Sequence, residues 1–398
     1  MEKHTAQVYV ATMRVAPDDS VPAKLRRLLA AVGLEGLDLP GKYVAIKTHF
    51  GEQGNVSFLK PLYTRTVAQE VRRLSGKPFV TDCSTLYVGM RNDLIDHLEC
   101  ARLNGFNHDS CGCEVVIADG LRGDDEVIVP LPDGSYVQEA RIGRAILDAD
   151  VLISLTHAKG CASSAFGGTI KNLGMGCGSR AGKMVMHSKG MPSVIAEKCT
   201  GCRKCLKSCA HDAIDIVEHK AHINENCVGC GHCISYCPQK AVNPAWNRNW
   251  EDMQIKMAEY ATAVVRKVQA LHVAIAIDIT PQCDCFAGND APMVPNVGMF
   301  ASLDPVALDQ AVGNAINAQP VIAGSALSEK YAAAAAAANP ANPASDASSV
   351  DSAAGASSGE GEMNHLHAIN PASDWTLALA HAESLGIGTR SYALITVE

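Results

Sequence analysis

A chain of 398 residues is long enough for a sizeable hydrophobic core and an additional small unit. Hydrophobic residues make up 47% and the mean hydropathy is +0.03, and no run approaches ~20 apolar residues, so no membrane span is expected. The 34 basic against 42 acidic residues give a formal charge of −8, which offers no electrostatic support for nucleic-acid binding, an activity that normally needs a basic face.

The first segment, Met1 to Arg14, carries Glu2, Lys3 and His4 and has no uninterrupted apolar stretch. It reads as a first strand rather than a secretion signal, which implies a cytoplasmic protein. Strands are expected at Val8–Met13, Tyr43–Lys47, Phe79–Thr81, Val115–Ala118 and Val151–Leu155, with helices at Leu62–Leu74, Asp93–Leu103 and Ala140–Ala149. This alternation predicts an α/β domain with a mostly parallel sheet. A cysteine-dense segment, 190–247, then interrupts it. A helix at Trp250–Gln269 and strands at Val273–Ile279 and Tyr392–Val397 resume the pattern. The α/β domain is therefore discontinuous, made of 1–189, 248–330 and 364–398. Residues 331–363 are rich in Ala, Ser, Gly and Pro, have little to bury, and read as a disordered insertion.

Sixteen cysteines in a reducing compartment point to metal or redox chemistry before disulfides. Cys199, Cys202, Cys205 and Cys209 are spaced C-x2-C-x2-C-x3-C, and Cys227, Cys230, Cys233 and Cys237 repeat that spacing before Pro238. This is the ligand pattern of two-cluster bacterial ferredoxins, in which the fourth cysteine of each run serves the other cluster. One [4Fe-4S] cluster is thus expected on Cys199, Cys202, Cys205 and Cys237, the other on Cys227, Cys230, Cys233 and Cys209. Segment 190–247 becomes an inserted α+β ferredoxin-like module, with a small hairpin at Ala213–Ile216 and Ala221–Ile223. Zinc ribbons also use C-x2-C steps, but in two pairs rather than runs of four. Ala210 stands where proline is usual in the first run and removes no ligand.

Polar loops follow several expected strands: Lys47 to Glu52, Thr81-Asp82-Cys83, Thr156 to Gly160, and Asp278 to Cys285. Ligands of open α/β sheets bind beyond the carboxyl ends of the strands, so His49, Asp82, His157, Lys171 and His187 are the catalytic candidates. The histidines are read equally as metal ligands, acid–base groups or ordinary buried residues. A Gly-rich stretch offers Gly167, Gly168, Lys171, Asn172 and Lys183 to a phosphate-bearing cofactor such as a flavin or nucleotide. It is not a P-loop, because Cys177 and Met184 stand where Gly and Ser or Thr are required. Cys111, Cys113, Cys161, Cys177, Cys283 and Cys285 have no partner at useful spacing and read as buried free thiols.

Lys47 to Glu52, Thr81 to Arg91, Ser154 to Cys177 with Gly182-Lys183 and His187, Cys283 to Cys285, and Ser302 to Ala307 together resemble the iron–sulfur-centre proteins of the domain-of-unknown-function 362 family. The resemblance implies an α/β domain with a ferredoxin-type insert, in an anaerobe, and supplies no substrate. Three functions follow as expectations. The first is an oxidoreductase whose clusters relay electrons to the strand-end site, acting on a small-molecule substrate. The second is a non-enzymatic electron carrier that docks a redox partner protein. The third is a metal-dependent enzyme in which the histidines hold an additional metal and the clusters are auxiliary.

Overall fold

The computed structural model describes residues 5–87, 89–187, 191–245, 249–338 and 363–398. Strands Tyr43–Lys47, Val151–His157 and Gln269–Ala276 are nearly continuous apolar runs, as strands covered on both faces must be. They form the middle of an eight-stranded sheet. Its order is Tyr392–Thr396, Ala6–Ala11, Gly298–Ser302, Gln269–Ala276, Val151–His157, Tyr43–Lys47, Lys77–Asp82 and Glu114–Ile117. Every neighbouring pair is parallel except the two made by Gly298–Ser302.

Because side chains alternate along a strand, the sheet divides the core in two. Val44, Ile46, Ile153, Val273 and Ile275 pack with helices Val21–Ala31 and Pro61–Arg73. Ala45, Leu152, Ala274 and Ala276 lie on the opposite face, where the small alanines admit helices Thr169–Cys177, Trp250–Val265 and Pro305–Asn317. Helix Thr169–Cys177 lies so close to Trp250–Val265 that a Cβ at Gly174 would overlap the Met257 carbonyl oxygen. Gly174→Ala is expected to cost about 1–3 kcal/mol by forcing the helices apart. Urea unfolding measures this, and an unchanged midpoint would show that the pair separates freely.

Residues 191–245 have their own small core. Ile214, Ala221, Ile234, Ala241 and Val242 surround Cys199, Cys205 and Cys233, and Leu86 and Met184 of the larger unit complete the cluster. Strand Ile214–Val217 pairs antiparallel with Lys220–Ile223, and Pro192–Val194 pairs antiparallel with Val242–Pro244, closing the segment on itself. Among the described residues no helix is long and apolar enough to cross a membrane.

Two expectations are corrected. Residues 140–149 are not one helix: Glu139–Gly143 is a strand paired with Glu126–Pro130, and only Arg144–Leu147 is helical. A cross-strand partner overrides the weak local preference there. Residues 331–338, assigned by composition to a disordered insertion, are the last turns of helix Ala326–Ala338. Buried Leu327 and an edge-on contact between Tyr331 and His365 anchor that helix, and the alanines extend it by propensity. Residues 339–362 lie outside the described residues.

Candidate functional site

Lys47, Asp82 and His157 end three adjacent parallel strands, so the register delivers them to one edge of the sheet. The loops beyond that edge enclose an open cavity of about 260 Å³. His49, Asp82, His157, Lys171 and His187 all line it, as do Gly167, Gly168, Asn172 and Lys183. Lys47, Tyr87, Arg91, Lys159, Cys283 and Cys285 join them.

A network of ion pairs braces the cavity floor. Lys47 Nζ lies 3.0 Å from Asp82 Oδ1 and donates to Asn172 Oδ1 at 2.8 Å. Asn172 Nδ2 donates in turn to Thr156 Oγ1 at 3.0 Å and to the Lys47 carbonyl at 3.2 Å. Arg91 reaches Glu52 Oε2 at 3.1 Å, Asp82 Oδ2 at 3.6 Å and the Tyr87 hydroxyl. Burial works against the Asp82 carboxylate, but Lys47, His49, His97 and Arg91 outweigh it and hold Asp82 well below the usual carboxylate range.

His157 belongs to a second buried group. Its Nδ1 lies 2.9 Å from Asp284 Oδ1 and its Nε2 2.7 Å from the Ile277 carbonyl, so both ring nitrogens face acceptors within the chain. Lys159 Nζ lies 3.1 Å from Asp284 Oδ2. Here too burial opposes the carboxylate, and His157 and Lys159 overcome it, holding Asp284 far below its ordinary value. His157 therefore braces Asp284 instead of presenting a free nitrogen to the cavity.

His49 is arranged differently. Its Nδ1 accepts the Gly51 N–H at 2.9 Å, which leaves the ring proton on Nε2. Burial, followed by the charge of Arg91, pushes its basicity well below the usual histidine value, so at neutral pH it is an uncharged N–H donor. His187 is pushed down to about 3 by burial and then by Lys171 and Lys183. Lys171 is held by sulfur: its Nζ lies 2.8 Å from Cys161 Sγ and 3.3 Å from Cys283 Sγ. Burial disfavours its charge, but Cys161, Cys283 and Cys285 more than compensate and keep it well above the ordinary lysine range. The Cys285 thiol falls to about 6, because a hydrogen bond with Cys283 and the charge of Lys171 outweigh burial.

The Gly-rich stretch has an internal use. The amides of Thr169 and Ile170, at the start of helix Thr169–Cys177, donate to Asp309 Oδ1 at 2.6 Å and Oδ2 at 2.8 Å. Gly168 makes room for that carboxylate, since a Cβ there would meet it at 2.6 Å. The chain's own anion thus fills the helix terminus that the glycines offered to a phosphate. Gly182 and Gly174 serve packing against Arg141 and Met257.

The eight cysteines at ferredoxin spacing surround two smaller cavities. Cys199, Cys202, Cys205 and Cys237 line one, and Cys209, Cys227, Cys230 and Cys233 line the other. The Ala221 amide donates to Cys199 Sγ at 3.4 Å and the Ala241 amide to Cys237 Sγ at 3.2 Å. Burial, followed by Cys230 and Cys227, pushes the Cys233 thiol up to about 12. Gly231, between Cys230 and Cys233, packs so closely on Arg180 that a Cβ would meet it at 3.1 Å and Leu86 at 3.5 Å. Leu86 also lines the large cavity, so the second cysteine set and that cavity share a wall. Across the same junction Asp124 lies 2.9 Å from His232, and Arg122 sits over the Tyr236 ring. Among the described residues no three His, Cys, Asp or Glu side chains close on a single metal ion.

Sequence reasoning missed the meeting of Cys161, Cys283 and Cys285 at Lys171, because the partners lie far apart along the chain. It also passed over Lys47, Lys159 and Arg91 as site residues, although each sits in a polar loop or at a strand end that it had marked.

A family model described as domain of unknown function (DUF362) matches residues 44–314. The lactate racemase apoprotein from Thermoanaerobacterium thermosaccharolyticum is similar at 13% identity and a TM-score of 0.35, over 69% of this chain and 51% of that one. A Thermotoga maritima protein from the Northeast Structural Genomics Consortium is similar at 12% identity and a TM-score of 0.34, over 66% and 52%. The chain spans about half the length of each. No curated protein matches the sequence.

Proposed function

The chain belongs to the domain of unknown function (DUF362) family, and on that footing we propose that it is an iron–sulfur oxidoreductase working at the strand-end cavity. The observation that carries the reading is the division of eight cysteines into two sets of four, each around its own cavity and each drawn from both runs. Cys199, Cys202, Cys205 and Cys237 would hold one [4Fe-4S] cluster, and Cys209, Cys227, Cys230 and Cys233 the other. Such clusters, when bound, give and accept single electrons, at potentials set by net charge, burial and hydrogen bonds to sulfur. The Ala221 and Ala241 amides supply two of those bonds. Runs of four cysteines, rather than the two pairs of a zinc ribbon, suit a cluster better than zinc.

The two sets differ in outlook. Cys202 is exposed, which suits the first set to a redox partner protein. The second set abuts Leu86 and Arg180, next to the large cavity. Within that cavity Lys171 and Lys183 have no carboxylate within ion-pair distance among the described residues, so the site favours a small anionic substrate. Neutral His49 offers it an N–H, while Lys47, Asp82 and Asn172 keep the floor rigid.

Anaerobic purification with iron, sulfide and organic-cofactor analysis tests the reading. Roughly eight irons and eight sulfides per chain are expected for two clusters. Cys209→Ser and Cys237→Ser should each remove about half of the iron, and Cys209→Ser and Cys227→Ser should give the same residual paramagnetic signal because they share a set. Zinc in place of iron overturns the assignment. Iron at the expected level, with electron delivery to a partner protein unaffected by His49→Ala and no small-molecule turnover, would return the chain to an electron carrier.

A further inference from the structure

Beside the cavity lies a group of three thiols that the two cysteine runs do not include. Cys161 and Cys283 are buried, Cys283 and Cys285 line the cavity, and the Cys283 thiol interacts with both of the others. The fold holds them together deliberately. The Gly160 amide donates to the Thr280 carbonyl at 2.9 Å, and a Cβ at Gly160 would meet the Pro281 and Thr280 carbonyl oxygens at 2.7 and 2.8 Å. Only glycine lets the strand Lys159–Cys161 lie this close to the loop that carries Cys283. On the other side Asp284, clamped by His157 and Lys159, fixes the backbone between Cys283 and Cys285.

The Lys171 ammonium lies against both sulfurs, 2.8 Å from Cys161 Sγ and 3.3 Å from Cys283 Sγ. A buried ammonium with sulfur as its near neighbours stabilises whichever sulfur is anionic. It also stands where a metal ion held by the same thiols would have to go, which disfavours a metal site.

We propose that Cys161 and Cys283 are a redox-active pair, cycling between a dithiol and a disulfide, that lets the cavity exchange electrons two at a time. The proposal rests on the oxidoreductase reading for the source of its electrons. Reduction of the disulfide takes two electrons, one after the other, from an iron–sulfur donor. It breaks the S–S bond, and two protons complete the two thiols. Oxidation forms the bond again, releases both protons and passes the electron pair to a two-electron acceptor in the cavity. Lys171 stabilises the thiolate that appears as the bond breaks. Cys285, the more acidic thiol, stands beside the pair as a further thiolate.

The test equilibrates the full chain anaerobically in dithiothreitol buffers of stepped reduced-to-oxidised ratio, blocks free thiols with an alkylating agent and maps the peptides by mass. A peptide linked through Cys161 and Cys283 should appear and vanish along a two-electron curve. Cys161→Ser and Cys283→Ser should abolish it, and Cys111→Ser should leave it. Lys171→Gln should move the midpoint by about tenfold in buffer ratio toward the disulfide, the scale of one charge-assisted hydrogen bond. Full alkylation of all three thiols at every ratio overturns the proposal, as does a link confined to Cys283 and Cys285, or a metal ion retained stoichiometrically by the three. Iron is counted in the same samples. A missing link with intact clusters therefore overturns the thiol pair only, whereas a link present without iron upholds the pair and removes the proposed electron source.

Discussion

Asp284→Ala is expected to destabilise the protein by about 3–5 kcal/mol, the usual cost of removing one member of a buried ion group. The carboxylate is fully buried and answers the Lys159 ammonium at 3.1 Å and the His157 ring nitrogen at 2.9 Å. Without it Lys159 remains buried and uncompensated, and the loop bearing Cys283 and Cys285 loses its anchor. Asp284→Asn keeps the shape and one acceptor but not the charge, and should lie between the variant and the parent. Equilibrium urea unfolding with parallel iron counts makes the measurement. A loss below about 1 kcal/mol would place the group among solvent-screened pairs, contrary to its burial.

Acidification should weaken the fold well before ordinary carboxylates titrate. His97 and His272 are fully buried, and both are pushed down to about 3. Burial is the main cause for each; for His97 the nearby Asp82 opposes it, while Arg91, Lys183 and Lys47 add to it. The unfolded chain binds these protons near pH 6.5, whereas the folded chain does not until about 3. Between those values the unfolded state holds more protons, so stability rises with pH and is lost as pH falls. The slope is about 1.4 kcal/mol per pH unit for each histidine. Asp82 and Asp284 act in the same direction lower down. Their folded values are depressed, so their contribution is complete above about 3.9 and is lost as the pH drops below it.

His97 provides the control. Neither of its ring nitrogens has a hydrogen-bond partner among the described residues, and it packs edge-on against Phe50. His97→Leu should therefore lower the slope between pH 6.5 and 4 by about 1.4 kcal/mol per pH unit without a large loss at pH 7.5, leaving the contributions of His49, His187 and His272 in place. Unfolding free energies of both proteins at several pH values decide this. Parallel slopes would mean that His97 charges in the folded state and that its burial is incomplete.

Much of the site was legible because strand ends are local features. Lys47, Asp82 and His157 each follow a recognisable apolar strand, and parallel register then brings such ends together. Their roles were less legible. His157 reads as a catalytic candidate by type and position, yet Ile277 and Asp284 occupy both its nitrogens, and both lie on a segment more than a hundred residues away. Gly167 and Gly168 read as a phosphate cradle until Asp309, from another helix, is seen at the helix terminus. The alanine run beyond Tyr331 shows the same limit, since its composition says nothing of the contact with His365 that anchors its helix.

The sequence by itself determined the strands near Val8, Tyr43, Phe79, Val115, Val151 and Val273 and the helices near Leu62, Asp93 and Trp250, and the spacing of the eight cysteines from Cys199 to Cys237. Both are set by distances along the chain: side-chain period for the strands, and the reach of neighbouring thiols for the cysteines. Only the tertiary structure decided what surrounds the large cavity. Lys171 meets Cys161 and Cys283, Asp284 meets His157 and Lys159, and Gly231 meets Arg180 and Leu86 because packing joins segments that no local pattern connects. Burial then sets their charges, for an ammonium or carboxylate removed from water keeps its charge only where another segment supplies the partner.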